Sequence, residues 1–298
     1  MTKRVIVIGK TGQLARALMR ESSRFNCQIT AYGREDCDLS ASVSKIKAFA
    51  ENLPPCDGII IAAAYTAVDA AEDDEATAFQ VNAAAPEIFA KYCAARATPL
   101  VHISTDYVFS GEAVLSIKPN VQAAPINAYG RSKLAGEIAI ANSKANAVIL
   151  RTAWVFDGIA KNFLTTMLRL GAMREQITVV ADQIGRPTYA GHLAQACLRA
   201  LIKLIDTPNF QGGIYHVSGS GAEISWAGFA EAIFAATHES RAHKVIVKPI
   251  ASDDYPTPAK RPAYSVLNIS AFEQEFQMKM PDWKVGLEAA LGEWHSLQ

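Results

Sequence analysis

Short apolar runs alternate with helical patterns along the first half of the chain, and this alternation restricts the fold more than any other feature. Strands are expected at 5–8, 28–32, 58–63, 100–104 and 147–152, and helices at 13–21, 43–51, 76–95 and 129–141. Strands that are separated by helices run parallel, with helices on both faces of the sheet. The alternation therefore predicts an α/β fold with a doubly wound parallel sheet, which binds ligands at the carboxyl ends of its strands.

The second half of the chain is less regular and is expected to form a smaller lobe. Helical patterns occupy 163–171, 193–205 and 226–236, and one strand is expected at 214–217. Breaks rich in glycine and proline interrupt these segments. A lobe that lies over the ligand edge of the sheet would make the cleft between the two parts the functional site.

The charge balance argues against two classes of partner. The 298 residues include 29 Lys and Arg and 29 Asp and Glu, so the formal net charge is zero. No run of like charges is present, which is unlike nucleic-acid binders and membrane-surface proteins. No apolar stretch reaches the ~18 residues that a membrane-spanning helix needs. We therefore expect no nucleic-acid partner and no membrane partner.

The cysteines and the first residues indicate the compartment. The five cysteines contain no CxxC pair, and their odd number fits neither a zinc cluster nor a disulfide framework. The apolar run before Gly9 is too short to be the core of a signal peptide. Both observations predict a cytoplasmic protein.

A glycine-rich turn follows the first expected strand. In a dinucleotide site the first glycine permits the tight turn, and the second lets the backbone approach a pyrophosphate. The phosphates then lie on the free amides at the start of the next helix, where the small Ala15 allows close packing. The predicted cofactor contacts at this turn are Gly9, Thr11, Gly12, Gln13 and Leu14. A turn without a ligand has a similar sequence, so the pattern alone leaves both interpretations open.

The tip of the second strand indicates which dinucleotide binds. An acidic residue there binds the ribose 2′-hydroxyl of NAD, whereas an arginine accommodates a 2′-phosphate. Arg34 follows this strand and favours NADPH, with NADH possible; an ordinary surface arginine is the alternative. Asp38 and Leu39 are further candidates, although Asp38 is equally suited to cap a helix before Ser40. The small residues Ala62–Ala64 leave room for a flat ligand at the end of the third strand.

These features define the expected domain organisation. We predict a Rossmann-type NADP-binding domain over residues 1–153, to which 179–220 contribute. A smaller C-terminal substrate-binding lobe is expected from 154–178 and 221–298. The cofactor is then expected on the sheet domain and the substrate between the domain and the lobe.

Three side chains form the expected catalytic set. Tyr129 and Lys133 are one helical turn apart, which places them on the same face of a helix. A phenol has a pKa of about 10, and a nearby ammonium lowers it by favouring the phenolate, so Lys133 is expected to tune Tyr129. Thr105 ends an expected strand, where its hydroxyl can bond a substrate carbonyl. In this combination the chain is similar to the extended short-chain dehydrogenases.

Segments along nearly the whole chain resemble the dTDP-4-dehydrorhamnose reductase family. In the first half they are GKTGQLA, AAAYTAVDAAE, VNAAAP, STDYVFSG and AYGRSKLAGE. In the second half they are RTAWVF, NFLTTMLRL, DQIGRPT, GIYHVSGSG and YPTPAKRPAYSVL. The last three are the most diagnostic, because they fall in the substrate lobe, where related epimerases and dehydratases differ.

The resemblance implies an NADPH-dependent reduction of the 4-keto group of dTDP-4-dehydro-L-rhamnose to dTDP-L-rhamnose. Tyr129 would donate the proton, Lys133 would orient it, and Thr105 would polarise the carbonyl. Asn82, in the VNAAAP segment, is implied as a further cofactor contact. The implied substrate contacts are Val68, Asp106, Tyr107, Trp154 and, toward the diphosphate, Arg261.

Several positions depart from the family pattern. Ile61 stands where an asparagine is usual, and Lys118 lies in a loop, 112–122, that is usually acidic and expected at the mouth of the site. The metal that some members bind between subunits would need acidic residues where this chain has Ala17 and Gly191, so no metal is expected. Two alternatives share the motifs: a reductase of another nucleotide 4-keto-6-deoxy sugar, and a non-catalytic NADP-binding regulatory subunit. A monomer and a homodimer are both compatible with the sequence.

Overall fold

A parallel sheet with helices on both faces forms the larger part of the molecule, in a computed structural model that describes residues 1–238 and 243–297. The strands are β1 (Lys3–Ile8), β2 (Cys27–Tyr32), β3 (Gly58–Ile61), β4 (Leu100–Thr105), β5 (Ala147–Thr152), β6 (Val155–Phe156), β7 (Gln176–Val180), β8 (Ile184–Gly185), β9 (Thr188–Tyr189), β10 (Gly213–His216), β11 (Ile224–Ser225) and β12 (Ile246–Ile250). The helices are α1 (Gln13–Glu21), α2 (Val43–Glu51), α3 (Ala70–Asp73), α4 (Glu75–Phe79), α5 (Ala85–Arg96), α6 (Ala128–Asn142), α7 (Phe163–Met173), α8 (Ala190–Asp206), α9 (Trp226–Ala236), α10 (Ser270–Phe276) and α11 (Trp283–His295).

The six strands of the main sheet follow the order β2–β1–β3–β4–β5–β10, and each neighbouring pair is parallel. After β1 the chain moves outward to β2 and then crosses back to β3, on the other side of β1. Connections that leave in opposite directions open a crevice at the carboxyl ends of the strands. The expected Rossmann-type doubly wound sheet is therefore confirmed, and its reversal lies between β1 and β3.

Two hydrophobic cores cover the two faces of this sheet. Val5 and Val7 of β1 point into a core with α1 and α8, whereas Ile6 and Ile8 point into a core with α2 and α5. All four side chains are buried. A strand that is covered on both faces has a continuous apolar sequence, which is why β1 has no polar alternation.

A third core lies in the C-terminal lobe, between α7, α9 and α11 and the parallel pair β7–β12. The elements β7, β12, α10 and α11 were not predicted from the sequence. The proposed domain boundaries remain a prediction. Among the described residues, every helix is too short or too polar to cross a membrane.

The long helix expected at 76–95 is interrupted by a wider turn. Between α4 and α5, residues Gln80–Ala84 form a π-helix, a form that is uncommon and often found at functional sites. The turn holds the buried Asn82 amide against the main chain of Tyr65, with which it makes hydrogen bonds of 2.8 and 3.0 Å. Asn82 also donates to the hydroxyl of Ser132 at 2.9 Å. The segment after β3 is thereby fixed to α6.

A buried ion pair joins α6 to β5. Arg151 donates from Nε and Nη2 to the two carboxylate oxygens of Glu137, at 2.8 and 2.6 Å. Ser104 donates to the same carboxylate at 2.5 Å, and Arg151 reaches the carbonyl of Pro119 at 3.2 Å. This bidentate geometry satisfies both charges out of water.

Replacing Glu137 with Gln is expected to lower the free energy of unfolding by ~3–5 kcal/mol, because Arg151 then keeps an uncompensated buried charge. Denaturant unfolding measures this loss. Glu231→Gln, on the exposed face of α9, is the matched control and should cost little. Equal losses in the two variants would contradict a stabilising role for the pair.

Candidate active site

A cleft of about 690 Å³ follows the carboxyl edge of the main sheet, and both the sheet domain and the C-terminal lobe line it. Of the residues predicted for the site, those that line it are Gly9, Thr11, Gly12, Gln13, Leu14, Arg34, Asp38, Leu39, Ala62, Ala63, Ala64, Val68, Thr105, Asp106, Tyr107, Tyr129, Lys133 and Trp154. Two others do not. Asn82 is buried and bonds the main chain of Tyr65, and Arg261 is paired with Asp69.

The glycine turn has the shape that a pyrophosphate needs. Gly9 has a φ of +116°, and a Cβ on it would lie 2.9 Å from the amide nitrogen of Ala63, so only glycine fits. A Cβ on Gly12 would meet no atom of the described residues within 4 Å, so the backbone there faces open space. No described side chain caps the start of α1. The turn and the uncapped helix end therefore fit a dinucleotide phosphate.

Hydrogen bonds with residues of the C-terminal half hold the glycine turn and the start of α1 in place. Arg16 donates to the carbonyl of Thr11 at 2.6 Å and to the buried carboxylate of Asp157 at 3.1 Å. Asn162 donates to the side-chain oxygen of Gln13 at 3.0 Å. The contacts of Arg16 with Asp157 and of Asn162 with Gln13 could not be predicted from the sequence, because each joins residues that are far apart in the chain.

Two cations lie where the adenosine end of a dinucleotide would bind. Arg34 is mostly exposed, 3.9 Å from the carboxylate of Asp38. Lys10, which the sequence analysis missed, also lines the cleft and lies 3.1 Å from Glu35. Asp38 accepts from the amide and hydroxyl of Ser40 at 2.9 and 2.7 Å, and these bonds lower the pKa of its carboxyl. The guanidinium of Arg34, which is mostly exposed, is available there to bind a 2′-phosphate.

Helix α6 brings Tyr129 and Lys133 to the end of β4. Asn127 caps the start of the helix, and its side chain accepts from the amide of Gly130 at 2.7 Å. A Cβ on Gly130 would lie 2.1 Å from the carbonyl oxygen of Tyr107, so glycine is what permits this close approach. The expected catalytic residues are thus collected at one wall of the cleft, with Thr105 at the strand end.

Burial dominates the ionisation of the two central groups. It raises the pKa of Tyr129 to about 12, against a hydrogen bond with Thr105 that lowers it. It lowers the pKa of Lys133 to about 8, against the nearby charge of Glu137. The pKa of Tyr129 is therefore raised and not lowered as predicted, because burial outweighs the interactions that favour the phenolate. The Lys133 amine lies 3.1 Å from Nε2 of His102.

Asp106 lies beside the catalytic set and keeps one free oxygen. Its Oδ1 accepts from the hydroxyl of Thr105 at 3.0 Å. Its Oδ2 is buried and has no hydrogen-bond partner among the described residues. Burial raises the pKa of this carboxyl to about 6, although hydrogen bonds from Ser265 and Thr105 oppose the shift. A buried polar atom without a partner is suited to a ligand hydroxyl.

A pair of stacked indoles forms the wall on the side of the C-terminal lobe. Trp154 has a φ of +52°, and its ring lies 3.6 Å from that of Trp226 at an interplanar angle of 11°. Trp226 begins α9 after Ser225, which caps the helix through the amide of Gly228 at 3.0 Å. Sequence analysis missed Trp226, although a tryptophan directly after a serine cap at a helix start was the available signal.

Arg261 is held by a carboxylate. Its guanidinium lies 2.7 and 3.1 Å from the two carboxylate oxygens of Asp69, next to the cleft residue Val68. Asp69 also accepts from the amide of Ala259 at 3.2 Å. The pair therefore fastens the segment around 255–262 to the end of the sheet domain.

The unusual loop at 112–122 does not reach the mouth of the site. Within the described residues, none of its members lines the cleft. It is held instead by the Arg151–Pro119 bond and by the pairing of Ile117 with Leu267. Ala17 and Gly191 are both buried in α1 and α8, and no cluster of three metal-ligating side chains occurs in the described part of the chain.

The family model described as the RmlD substrate binding domain matches residues 3–296. The chain belongs to the dTDP-4-dehydrorhamnose reductase family. It is 38% identical to the dTDP-4-dehydrorhamnose reductase of Sinorhizobium fredii, over 94% of each chain. It is 36% identical to the reductase of the same name from Escherichia coli K12, over 97% of each chain.

Solved structures of the family superpose along nearly the whole chain. The reductase from Bacillus anthracis, determined in complex with NADP, has a TM-score of 0.88 at 36% identity and covers 98% of this chain and 100% of its own. The Clostridium acetobutylicum orthologue has a TM-score of 0.87 at 33% identity, with 98% and 99% covered. A UDP-glucose 4-epimerase from Brucella ovis, at 17% identity and a TM-score of 0.79, shares the fold.

Proposed function

We propose that the chain reduces the 4-keto group of dTDP-4-dehydro-L-rhamnose to give dTDP-L-rhamnose, with NADPH as the cofactor. The observation that carries the proposal is the meeting of Thr105, Tyr129 and Lys133 at one wall of a cleft that begins with the glycine turn. The family relatives named for this reaction support the choice of substrate. The NADP complex of the Bacillus anthracis relative supports the choice of cofactor.

Residues at the carboxyl edge would hold the cofactor, which supplies the hydride when bound. Gly9, Gly12 and the start of α1 would hold its pyrophosphate, and Arg34 its 2′-phosphate. Lys133 would bond the nicotinamide ribose from the opposite wall of the cleft. The open backbone at Gly12 and the exposed guanidinium of Arg34 fit these roles.

Tyr129 is the proton donor in this mechanism. Its pKa of about 12 keeps the phenol protonated at neutral pH, so the proton is present when the carbonyl oxygen gains charge. The hydroxyl of Thr105, which bonds Tyr129 and Asp106, turns toward the same oxygen and polarises it. The Lys133 ammonium then favours the phenolate that remains after the transfer.

The sugar would lie between Asp106 and the stacked indoles. The free Oδ2 of Asp106 accepts from a sugar hydroxyl, and the Trp154 face packs against the apolar side of the ring. Val68 and Tyr107 complete this pocket. For Arg261 to meet the diphosphate, its pair with Asp69 must open.

We further propose a cytoplasmic location, which the five unpaired cysteines support.

Reduction of another nucleotide 4-keto-6-deoxy sugar would use the same catalytic residues and differ in the product. A non-catalytic NADP-binding subunit would have no need for the assembled catalytic wall.

The decisive experiment compares the unmodified protein with Tyr129→Phe, using enzymatically prepared dTDP-4-dehydro-L-rhamnose. We expect NADPH oxidation with dTDP-L-rhamnose as the product, and a loss of ~10²–10⁴-fold in kcat when the proton donor is removed. Nicotinamide absorbance gives the rate, and NMR gives the product stereochemistry. Tyr92→Phe, on α5 outside the cleft, is the control. NADPH binding without consumption would instead support the binding-subunit alternative.

Replacing Arg34 with Ala is expected to raise the KM for NADPH ~10-fold or more, since a bond to a charged group is worth ~1.5–3 kcal/mol. The KM for NADH should stay within about twofold, because NADH has no 2′-phosphate. Steady-state kinetics with both cofactors measures the change. Arg24→Ala, at a similarly exposed arginine outside the cleft, is the control. Equal changes for NADPH and NADH would count against phosphate recognition.

The pH profile of kcat/KM is expected to fall as pH rises through about 8. The pKa of Lys133 is lowered to about 8, so its ammonium is present below that pH and is lost above it. Lys133→Arg keeps a positive charge at every accessible pH, so its remaining activity should lack this limb. An unchanged alkaline limb in the arginine variant would assign the titration to another group.

A further inference from the structure

His102 bonds Lys133 and takes no part in the catalytic scheme. It lies on β4, on the same strand as Thr105, and its side chain is fully buried. Its Nε2 lies 3.1 Å from the Lys133 amine, which is itself buried. A buried amine needs a hydrogen-bond partner, because burying a polar or charged group without one is costly.

The strand and the helix meet through two polar pairs. Alternate residues of a strand point to the same face, so His102 and Ser104 both face α6. Lys133 and Glu137, one turn apart on α6, meet them in the same order: His102 bonds Lys133, and Ser104 bonds Glu137. The second pair is locked by Arg151. The first pair contains no carboxylate, so the contact with His102 does not hold the lysine in its charged form.

The imidazole has no competing partner among the described residues. Its Nδ1 is buried and makes no hydrogen bond to them. Burial, aided by the charge on Lys133, holds the pKa of His102 well below its usual range, so the ring is neutral. A neutral imidazole has one donor nitrogen and one acceptor nitrogen, and the two can exchange roles.

This exchange lets one contact serve both protonation states of the lysine. With the hydrogen on Nδ1, Nε2 accepts from the ammonium; with the hydrogen on Nε2, the ring donates to the free amine. A carboxylate in this place would hold only the ammonium. The other titratable groups near Lys133 are Glu137 on α6, which is paired with Arg151 of β5, and Tyr129 one turn earlier on α6.

We propose that His102 is a positioning residue, which holds the Lys133 amine at the cleft wall in both of its protonation states. The proposal rests on the proposed function, because the amine must be in place to bond the cofactor ribose and to favour the phenolate. His102 acts through Lys133 and touches neither cofactor nor substrate.

The test compares His102→Leu, which removes the hydrogen bond, with His102→Gln, whose amide both accepts and donates. We expect kcat to fall ~10–100-fold in the leucine variant, the size of effect that a misplaced catalytic group produces, and NADPH affinity to weaken by a similar factor. The glutamine variant should stay within about threefold of the unmodified protein. NADPH fluorescence titration gives the affinity, and thermal unfolding shows that the proteins are folded.

A double-mutant cycle with Lys133→Met separates positioning from a structural role. If His102 acts through Lys133, His102→Leu has no further effect on kcat or NADPH affinity in the Lys133→Met background. Equal losses in both backgrounds, or an unchanged leucine variant, would overturn the proposal. If the leucine variant does not fold, His102→Asn, whose shorter amide does not reach the amine, takes its place. If the unmodified protein lacks reductase activity, the proposed function fails, while the NADPH affinities still decide the role of His102.

Discussion

The close packing of α6 against the carboxyl end of β4 is the constraint on which the catalytic geometry depends. At the start of the helix the backbone of Gly130 meets the carbonyl of Tyr107, where a Cβ would lie 2.1 Å away. Two turns later the buried pair of Glu137 and Arg151 binds the helix to β5. A helix that is fixed at both ends of a short span cannot slide. The residues between these two points, above all Lys133, are therefore placed by the backbone and not by the loops.

The cofactor edge depends on the C-terminal half of the chain in a similar way. Arg16 joins the glycine turn to Asp157, and Gln13 meets Asn162 at the start of α7. A change in the packing of the C-terminal lobe therefore acts directly on the turn that would hold the pyrophosphate. These contacts hold the turn in place before a ligand binds, which lowers the ordering cost of binding.

Much of the main sheet could be predicted from the sequence, because strands that are buried on both faces, such as β1, have unbroken apolar runs. The pair β7–β12 was missed because both strands are partly exposed and lack an unbroken apolar run, and nothing local indicates pairing between distant segments. The catalytic motif was visible in the spacing of Tyr129 and Lys133. The contact of His102 with Lys133 was not, since it depends on how a strand and a helix pack. The domain boundaries stay a prediction.

The bidentate pair of Asp69 and Arg261 also has a consequence for how affinity is set. Any anion that recruits Arg261 must first displace an internal carboxylate, so the apparent dissociation constant contains the equilibrium between paired and released arginine as well as the contact itself. When the competent form is a minor population, the observed affinity falls by that fraction. Exposure of the Asp69 side chain to solvent, at 41%, makes this internal competition sensitive to ionic strength. A ligand that binds through Arg261 would therefore bind less tightly, and with a stronger dependence on salt, than its contacts with the arginine alone would give.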